Sequence, residues 1–223
     1  MKKIILSLSL LFAFNTFAQE KAVKIEAKPA QTLYQKGLHY DELNPAFSTD
    51  DKEHVVVYEF FGYKCPHCAH FEPYMKTLQE KLNKNVKIVR IPVIFQPGWD
   101  ILAKAYYTAQ AMGIVEKTHQ GMFDALHKQH KRFSNMEDIA QWYADTYAVD
   151  KAAFLSTASS FLIDSKIRQS NRMMQAMKVT STPSLVVDGK YTPNLKTLKS
   201  KDALIELTAF LANKEVQTRG LDK

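Results

Sequence analysis

The spacing of apolar residues changes several times along the chain, and each change marks a different element. Ile4 to Phe14 is an apolar stretch, preceded by Met1-Lys2-Lys3 and followed by Asn15-Thr16-Phe17-Ala18-Gln19. A charged start, a short apolar segment and a small residue at the junction predict a cleavable export leader over residues 1–18. The stretch is short for a membrane span, and no second long apolar run follows it. Gln19 to Thr32 is polar without periodicity and predicts an extended arm. Leu38 to Leu43 reads as a short edge strand ending before Pro45. His54 to Phe61 is a nearly continuous β-branched and aromatic run, the pattern of a central strand covered on both faces.

From Cys65 the period lengthens. Phe71, Tyr74, Met75, Leu78 and Leu82 fall at helical spacing and predict a helix from Cys65 to about Leu82. Pro73 lies inside it and removes the bond to the Ala69 carbonyl, so a kink is expected there. Val86 to Ile91 predicts a second central strand, with Lys87 near its start and Arg90 near its end, closed by Pro92. Pro97-Gly98 then breaks the pattern.

Trp99 to Lys178 has hardly any strand signal and reads as a series of helices. One runs from Ile101 to Met112 and ends at Gly113, and another from Ile114 to about Lys131. Ser134 and Glu137 have capping-box spacing for a helix through Tyr147. Asp150 can cap the next, and Ser160 to Lys178 predicts a long final helix of this block. Ser184 to Val187 is a short strand, Asp188-Gly189 a hairpin turn, and Lys190-Tyr191-Thr192 the return. Leu204, Leu207 and Leu211 line an amphipathic helix beginning near Ser200.

Composition narrows the classes. The 223 residues carry a formal net charge of +7, and the leader takes two of the lysines with it. The remaining excess is spread along the chain with no basic patch interleaved with aromatics, so nucleic acid is not an expected partner. Only two cysteines are present, so the fold is expected to rest on apolar burial rather than on a disulfide framework. His119, His127 and His130 show no standard ligand spacing and are expected at exposed helix positions.

The two cysteines sit together in Cys65-Pro66-His67-Cys68, directly after the apolar strand and at the head of a helix. Thiols in one turn close a disulfide only where the turn brings both sulfurs near bonding distance. Helix N–H groups and the macrodipole favour a thiolate at the first position, and a protonated His67 would add to that. Pro66 removes a donor that the first turn leaves unsatisfied anyway. A redox-active dithiol with a stabilised reduced form, one that oxidises other thiols, follows from this. A structural disulfide would be a poor staple across a two-residue loop. A metal site using Cys65, Cys68 and His67 or His70 lacks a second ligand pair at standard spacing. Glu59 is a lone carboxylate in the buried strand, six residues before Cys65, and needs either a partner, a task or a route to solvent.

The order of strand, redox helix, strand, helical block, strand hairpin and helix resembles a thioredoxin fold with an inserted all-helical domain. With Glu59-Phe60-Phe61, Cys65-Pro66-His67-Cys68, Phe71-Glu72 and Pro183 through Tyr191, the chain resembles the DsbA family of periplasmic thiol:disulfide oxidases. That resemblance implies an α/β fold with residues 19–96 and 171–223 as the thioredoxin-like domain and 97–170 as the inserted helical domain. It implies that Cys65 is the nucleophile of a mixed disulfide and that Cys68 is the buried partner. Pro183 would be cis and face both sulfurs, the backbone of Thr182 would pair with an extended substrate, and His67 would border that substrate. Glu59 and Glu72 match acidic positions from which a carboxylate could move the Cys68 proton. Arg90 stands where a lysine is expected, and Thr182 where the best-known oxidases carry valine.

By the same resemblance no cofactor beyond the redox-active disulfide is needed. The expected partners are reduced, newly exported unfolded proteins and a quinone-linked membrane oxidase of the DsbB type. A periplasmic monomer without membrane anchoring is expected. The alternatives at this stage are a disulfide isomerase or reductase, and a peptide-binding chaperone without net thiol exchange.

Overall fold

The computed structural model describes residues 33–222; the predicted leader and the polar arm lie outside the described residues. Five strands form one sheet in the order β1-β5-β4-β2-β3. They are β1 (Tyr40–Glu42), β2 (Val55–Phe61), β3 (Val86–Pro92), β4 (Ser184–Val187) and β5 (Tyr191–Pro193). β2 and β3 pair in parallel, and the other pairs are antiparallel.

All seven residues of β2 are buried, because each face has its own cover. Val55 and Val57 join Leu185 and Val187 against Met75 and Leu78 of α2 (Glu72–Lys81) and its N-cap Phe71, and against Leu204, Leu207 and Leu211 of α8 (Lys201–Thr218). Val56, Tyr58 and Phe60 point the other way and join Met173 and Met177, at and just beyond the end of α7 (Phe161–Ala176). Each fully buried leucine or valine contributes about 1.5–3 kcal/mol, so this double cover anchors the sheet. The period of two also decides where Glu59 goes: it shares the face of Val55 and Val57, toward α2.

β3 differs from the expectation of a second central strand. It lies at the edge of the sheet, paired only with β2 among the described residues. The chain leaves it for the helices and returns to the other side of β2, so Ile88, Val89 and Arg90 are only half-buried.

The redox helix is also divided further than a kink. α1 (Pro66–Ala69) stops at His70, and α2 starts afresh with Pro73 in its first turn. There proline's missing donor costs nothing, whereas inside a continuous helix it would break the ladder.

Between β3 and β4 run α3 (Asp100–Ala111), α4 (Val115–His127), α5 (Met136–Tyr147), α6 (Lys151–Ala158) and α7. Gly113 follows α3 at φ +70°. α4 ends four residues before Lys131, where the longer helix was expected. The α5 cap sits one residue later than the expected Ser134–Glu137 pair: Asn135 accepts from Asp138 N, and Asp138 accepts in turn from Ser134 N. Asp150 caps α6 and Ser200 caps α8 through their side chains. Asp188 and Gly189 both have positive φ, as a tight hairpin turn requires. These helices bury a core of their own around Phe123, Ile139, Tyr143, Phe154 and Ile163, and Phe61, Tyr63, Cys65 and Cys68 belong to it. The boundary at residues 170/171 falls inside α7, whose Ile163 joins that core while Met173 joins the sheet.

Candidate active site

Cys65 is the N-cap of α1, its N–H donating to Gly62 O at 2.9 Å. Gly62 has no side chain because the indole of Trp99 occupies that space; a Cβ there would lie 2.1 Å from Trp99 Cζ3. Pro66 and His67 face solvent, Cys65 is 7% exposed, and Cys68 is sealed at 0%. Both cysteines are thiols in this structure. Burial pushes the Cys68 thiol well above its ordinary value.

The Thr182–Pro183 bond is cis, and this segment comes up against the first cysteine: Cys65 Sγ lies 3.5 Å from Thr182 O. The β2–β4 ladder ends at Phe60 and Ser184, so Thr182 and Pro183 continue just past it toward the head of α1. A second cis bond, Asn44–Pro45, lies far from this site in the chain and has no counterpart in the sequence reading. Thus Cys65, Pro66, His67, Cys68, Thr182 and Pro183 are brought to one end of the sheet.

The other expected residues form a second, interior group. Glu59 is 0% exposed, which rules out a carboxylate reaching solvent. Arg90 Nε donates to Glu59 Oε2 at 3.0 Å, and its Nη2 lies 3.6 Å from Glu72 Oε2. Burial, reinforced by the Glu72 charge and opposed by Arg90, pushes the Glu59 carboxyl up to about 8. Burial also works against the Glu72 carboxylate, yet His119 and Arg90 outweigh it and hold its carboxyl below the ordinary value.

The tie between the two groups is a residue assigned to the surface by sequence. His119 is 5% exposed, not solvent-facing. Its Nε2 lies 3.2 Å from Glu72 Oε1 and its Nδ1 2.8 Å from the Tyr63 hydroxyl, two residues before Cys65. Burial lowers the His119 pKa, leaving a neutral ring at pH 7. Tyr63, itself held protonated by burial, then donates to Nδ1, and Nε2–H donates to Glu72. His127 also turns inward, its Nε2 2.7 Å from Tyr63 O, whereas His130 is exposed beyond α4 at φ +53°. The missed signal is the stripe of Val115, Met122 and Phe123, which puts His119 on the buried face of α4. Among the described residues no group of three or more His, Cys, Asp or Glu side chains could hold a metal ion.

Comparison with known proteins agrees with this geometry. The sequence profile of a family described as Thioredoxin matches residues 49–207. The thiol:disulfide interchange protein DsbA of Pseudomonas aeruginosa is 34% identical over 182 residues, covering 82% of this chain and 86% of that one. That of Azotobacter vinelandii is 31% identical over 219 residues, covering 96% and 98%. The chain belongs to the DsbA family. A crystal structure of Pseudomonas aeruginosa DsbA superposes with a TM-score of 0.77 at 33% identity, covering 83% of this chain and 96% of that one. The oxidoreductase DsbA from Xylella fastidiosa gives 0.74 at 25% identity, covering 80% and 96%. The thioredoxin fold with a helical insertion is therefore the architecture this chain shares with DsbA proteins.

Proposed function

We propose that this protein is a DsbA-like thiol:disulfide oxidase that donates the Cys65–Cys68 disulfide to reduced proteins through a mixed disulfide at Cys65. The observation that carries the assignment of roles is the contrast between the two sulfurs. Cys65 sits at the helix head beside the Thr182 carbonyl and retains a path to solvent, while Cys68 has none.

In the forward reaction a substrate thiolate attacks Cys65 Sγ, the Cys65–Cys68 bond breaks, and Cys68 leaves as the thiolate. Burial opposes that charge, so Cys68 takes up a proton. Glu59, whose carboxyl burial pushes up to about 8, is the proposed donor, with Arg90 and Glu72 supporting it. A second substrate thiolate then attacks the substrate sulfur of the mixed disulfide and releases Cys65. Two electrons pass from the substrate dithiol to the enzyme, whose disulfide becomes a dithiol. Thr182 would pair with the extended substrate through its backbone, Pro183 would hold that backbone against the sulfurs, and the exposed His67 would border it.

The chemistry requires no cofactor beyond the disulfide itself. Reoxidation requires an electron acceptor, which we assign to a quinone-linked membrane oxidase of the DsbB type. Among the described residues no helix is long and apolar enough to cross a membrane. The predicted leader over residues 1–18 supports the reading of a periplasmic protein acting on newly exported chains, and we propose that it does so as a monomer.

The test is the equilibrium potential of the Cys65–Cys68 pair in glutathione buffers, read by mass or tryptophan fluorescence. A value well above about −180 mV, typical of protein disulfide isomerase, is expected. A value near about −270 mV, as in thioredoxin, would overturn the oxidase reading in favour of a reductant.

A further inference from the structure

We propose that His119 is a positioning residue that keeps the negative charge of the buried acid pair on Glu72 and the proton on Glu59. The inference deepens the disulfide-exchange reading and rests on it only for its consequence, which acid can pass a proton to Cys68.

The argument begins with a count of charge. Glu59 and Glu72 are buried and share a single guanidinium, that of Arg90. Two carboxylates and one cation would leave a net buried negative charge, which low-dielectric surroundings resist by retaining one proton. Arg90 alone would direct that proton to Glu72, since its contact with Glu59 is 3.0 Å and its contact with Glu72 is 3.6 Å. Something else must reverse the preference.

His119 is placed to do so. The Tyr63 hydroxyl can donate to its Nδ1, and a neutral ring that accepts there carries its hydrogen on Nε2, aimed at Glu72 Oε1. A hydrogen bond donated to one member of an acid pair favours ionisation of that member. Lys76, one turn along α2, acts on Glu72 in the same direction. Glu59 has no such help: its Oε1 makes no hydrogen bond within the protein, an arrangement far less costly for a neutral carboxyl than for a carboxylate.

The other surroundings of the imidazole are aromatic, with Phe61, Tyr106 and Phe123 ring centroids at 5.1, 5.8 and 5.2 Å. The charged and titratable groups that act on it and on Tyr63 are Glu72 from α2, Arg90 from β3, Glu116 from α4, Tyr106 from α3 and Tyr143 from α5. The two tyrosines are held protonated by burial, and Arg90 disfavours a second positive charge on the ring. Neutral His119 with its hydrogen on Nε2 is the state these neighbours select.

The experiment is a carboxyl 13C NMR titration of the purified protein, with Glu59 and Glu72 assigned by Glu59→Gln and Glu72→Gln. In the wild type the Glu59 midpoint should lie above that of Glu72. In His119→Phe, which fills the aromatic site without a donor, the Glu72 midpoint should rise and the Glu59 midpoint fall. His119→Gln returns an N–H near the place of Nε2 and should restore the wild-type order, a rescue that mere space-filling would not produce. Unmoved midpoints in folded His119→Phe would overturn the proposal. If that variant does not fold, 15N imidazole shifts of the wild type decide instead: the hydrogen on Nε2 supports the proposal, and the hydrogen on Nδ1 overturns it. Carboxyls rather than thiols are observed, so failure here leaves disulfide donation standing, and a reductant-like potential leaves this result standing.

Discussion

Arg90 and Glu59 face each other across the parallel β2–β3 ladder, partners in register, with the guanidinium Nε donating to the carboxyl Oε2 at 3.0 Å. The cation comes from an edge strand and the acid from the central one. The long arginine therefore keeps a route to solvent, 21% exposed, while its head reaches inward to an acid with none. This pairing explains how an acid is tolerated in a strand that is otherwise entirely apolar or aromatic.

Replacing Arg90 by methionine should therefore leave two buried acids without their cation. Breaking such a group by removing one partner costs about 3–5 kcal/mol. Without Arg90 the Glu59 carboxyl, already raised by burial, would bind its proton still more tightly in the folded state than in the unfolded chain, while His119 stays beside Glu72. Acids of that kind hold their stabilisation below the unfolded value and lose it as pH rises. Arg90→Met should thus be most destabilised near pH 8 and recover toward pH 5 in urea titrations. Arg90→Lys keeps the charge and should retain most of the stability, although it cannot present the planar fork that reaches two acids at once.

Glu59→Gln tests the proton itself. The wild-type carboxyl moves from its ordinary value of 4.5 up to about 8 on folding, so between those values the folded state binds more protons than the unfolded state. Its contribution is intact below the lower value and is lost as pH rises through the upper one. The stability of Glu59→Gln relative to wild type should therefore climb with pH across that window, by at most about 1.4 kcal/mol per pH unit, and level off above it. His119 and Glu72, whose folded values are lowered, give the opposite trend in both proteins, and the coupling of Glu72 to Glu59 is confined to the range where the wild-type Glu59 ionises. A flat difference would mean that Glu59 is ionised throughout.

Much of this arrangement is legible in local pattern. The run at Val55–Phe61 is so uniformly apolar that only a doubly covered strand fits it, and Asp188-Gly189 has the two residue types that best tolerate positive φ. The edge position of β3 is not legible, because strand order depends on where the chain returns after the helical block and leaves no mark on Val86–Ile91. The dithiol and Glu59 stand out as residues that are costly without a task. His119 does not, because a histidine on a helix is unremarkable until Tyr63 and Glu72, distant in sequence, are folded against it. Likewise the Asn135 cap follows from one residue of register that the Ser134–Glu137 spacing hides.

Gly62 is a position where an added methyl group should damage the site. The new Cβ would overlap Cζ3, Cε3 and Cη2 of Trp99, at 2.1, 2.6 and 2.8 Å, and a packed indole cannot swing aside as a lysine tip can. Overpacking of this kind costs roughly 1–3 kcal/mol. Because Gly62 O also receives the Cys65 N–H, relief of the clash must move the loop that presents the nucleophile. Gly62→Ala should lower thermal stability, slow disulfide donation and change the Trp99 fluorescence, best read with Trp142 replaced by phenylalanine.

The two cysteines should differ sharply toward alkylating reagents. Cys68 has no exposed surface, and burial raises its thiol so far that little thiolate exists near neutral pH. In Cys65→Ser the remaining sulfur should react with iodoacetamide only as fast as the protein opens, so that its labelling rate rises steeply with denaturant. In Cys68→Ser the remaining Cys65 retains its access to solvent and should label without denaturant, and should trap mixed disulfides with reduced proteins because the resolving partner is gone. Mass spectrometry of timed quenches separates the two cases. Equal labelling of both variants in the folded state would remove the basis for assigning attack to Cys65.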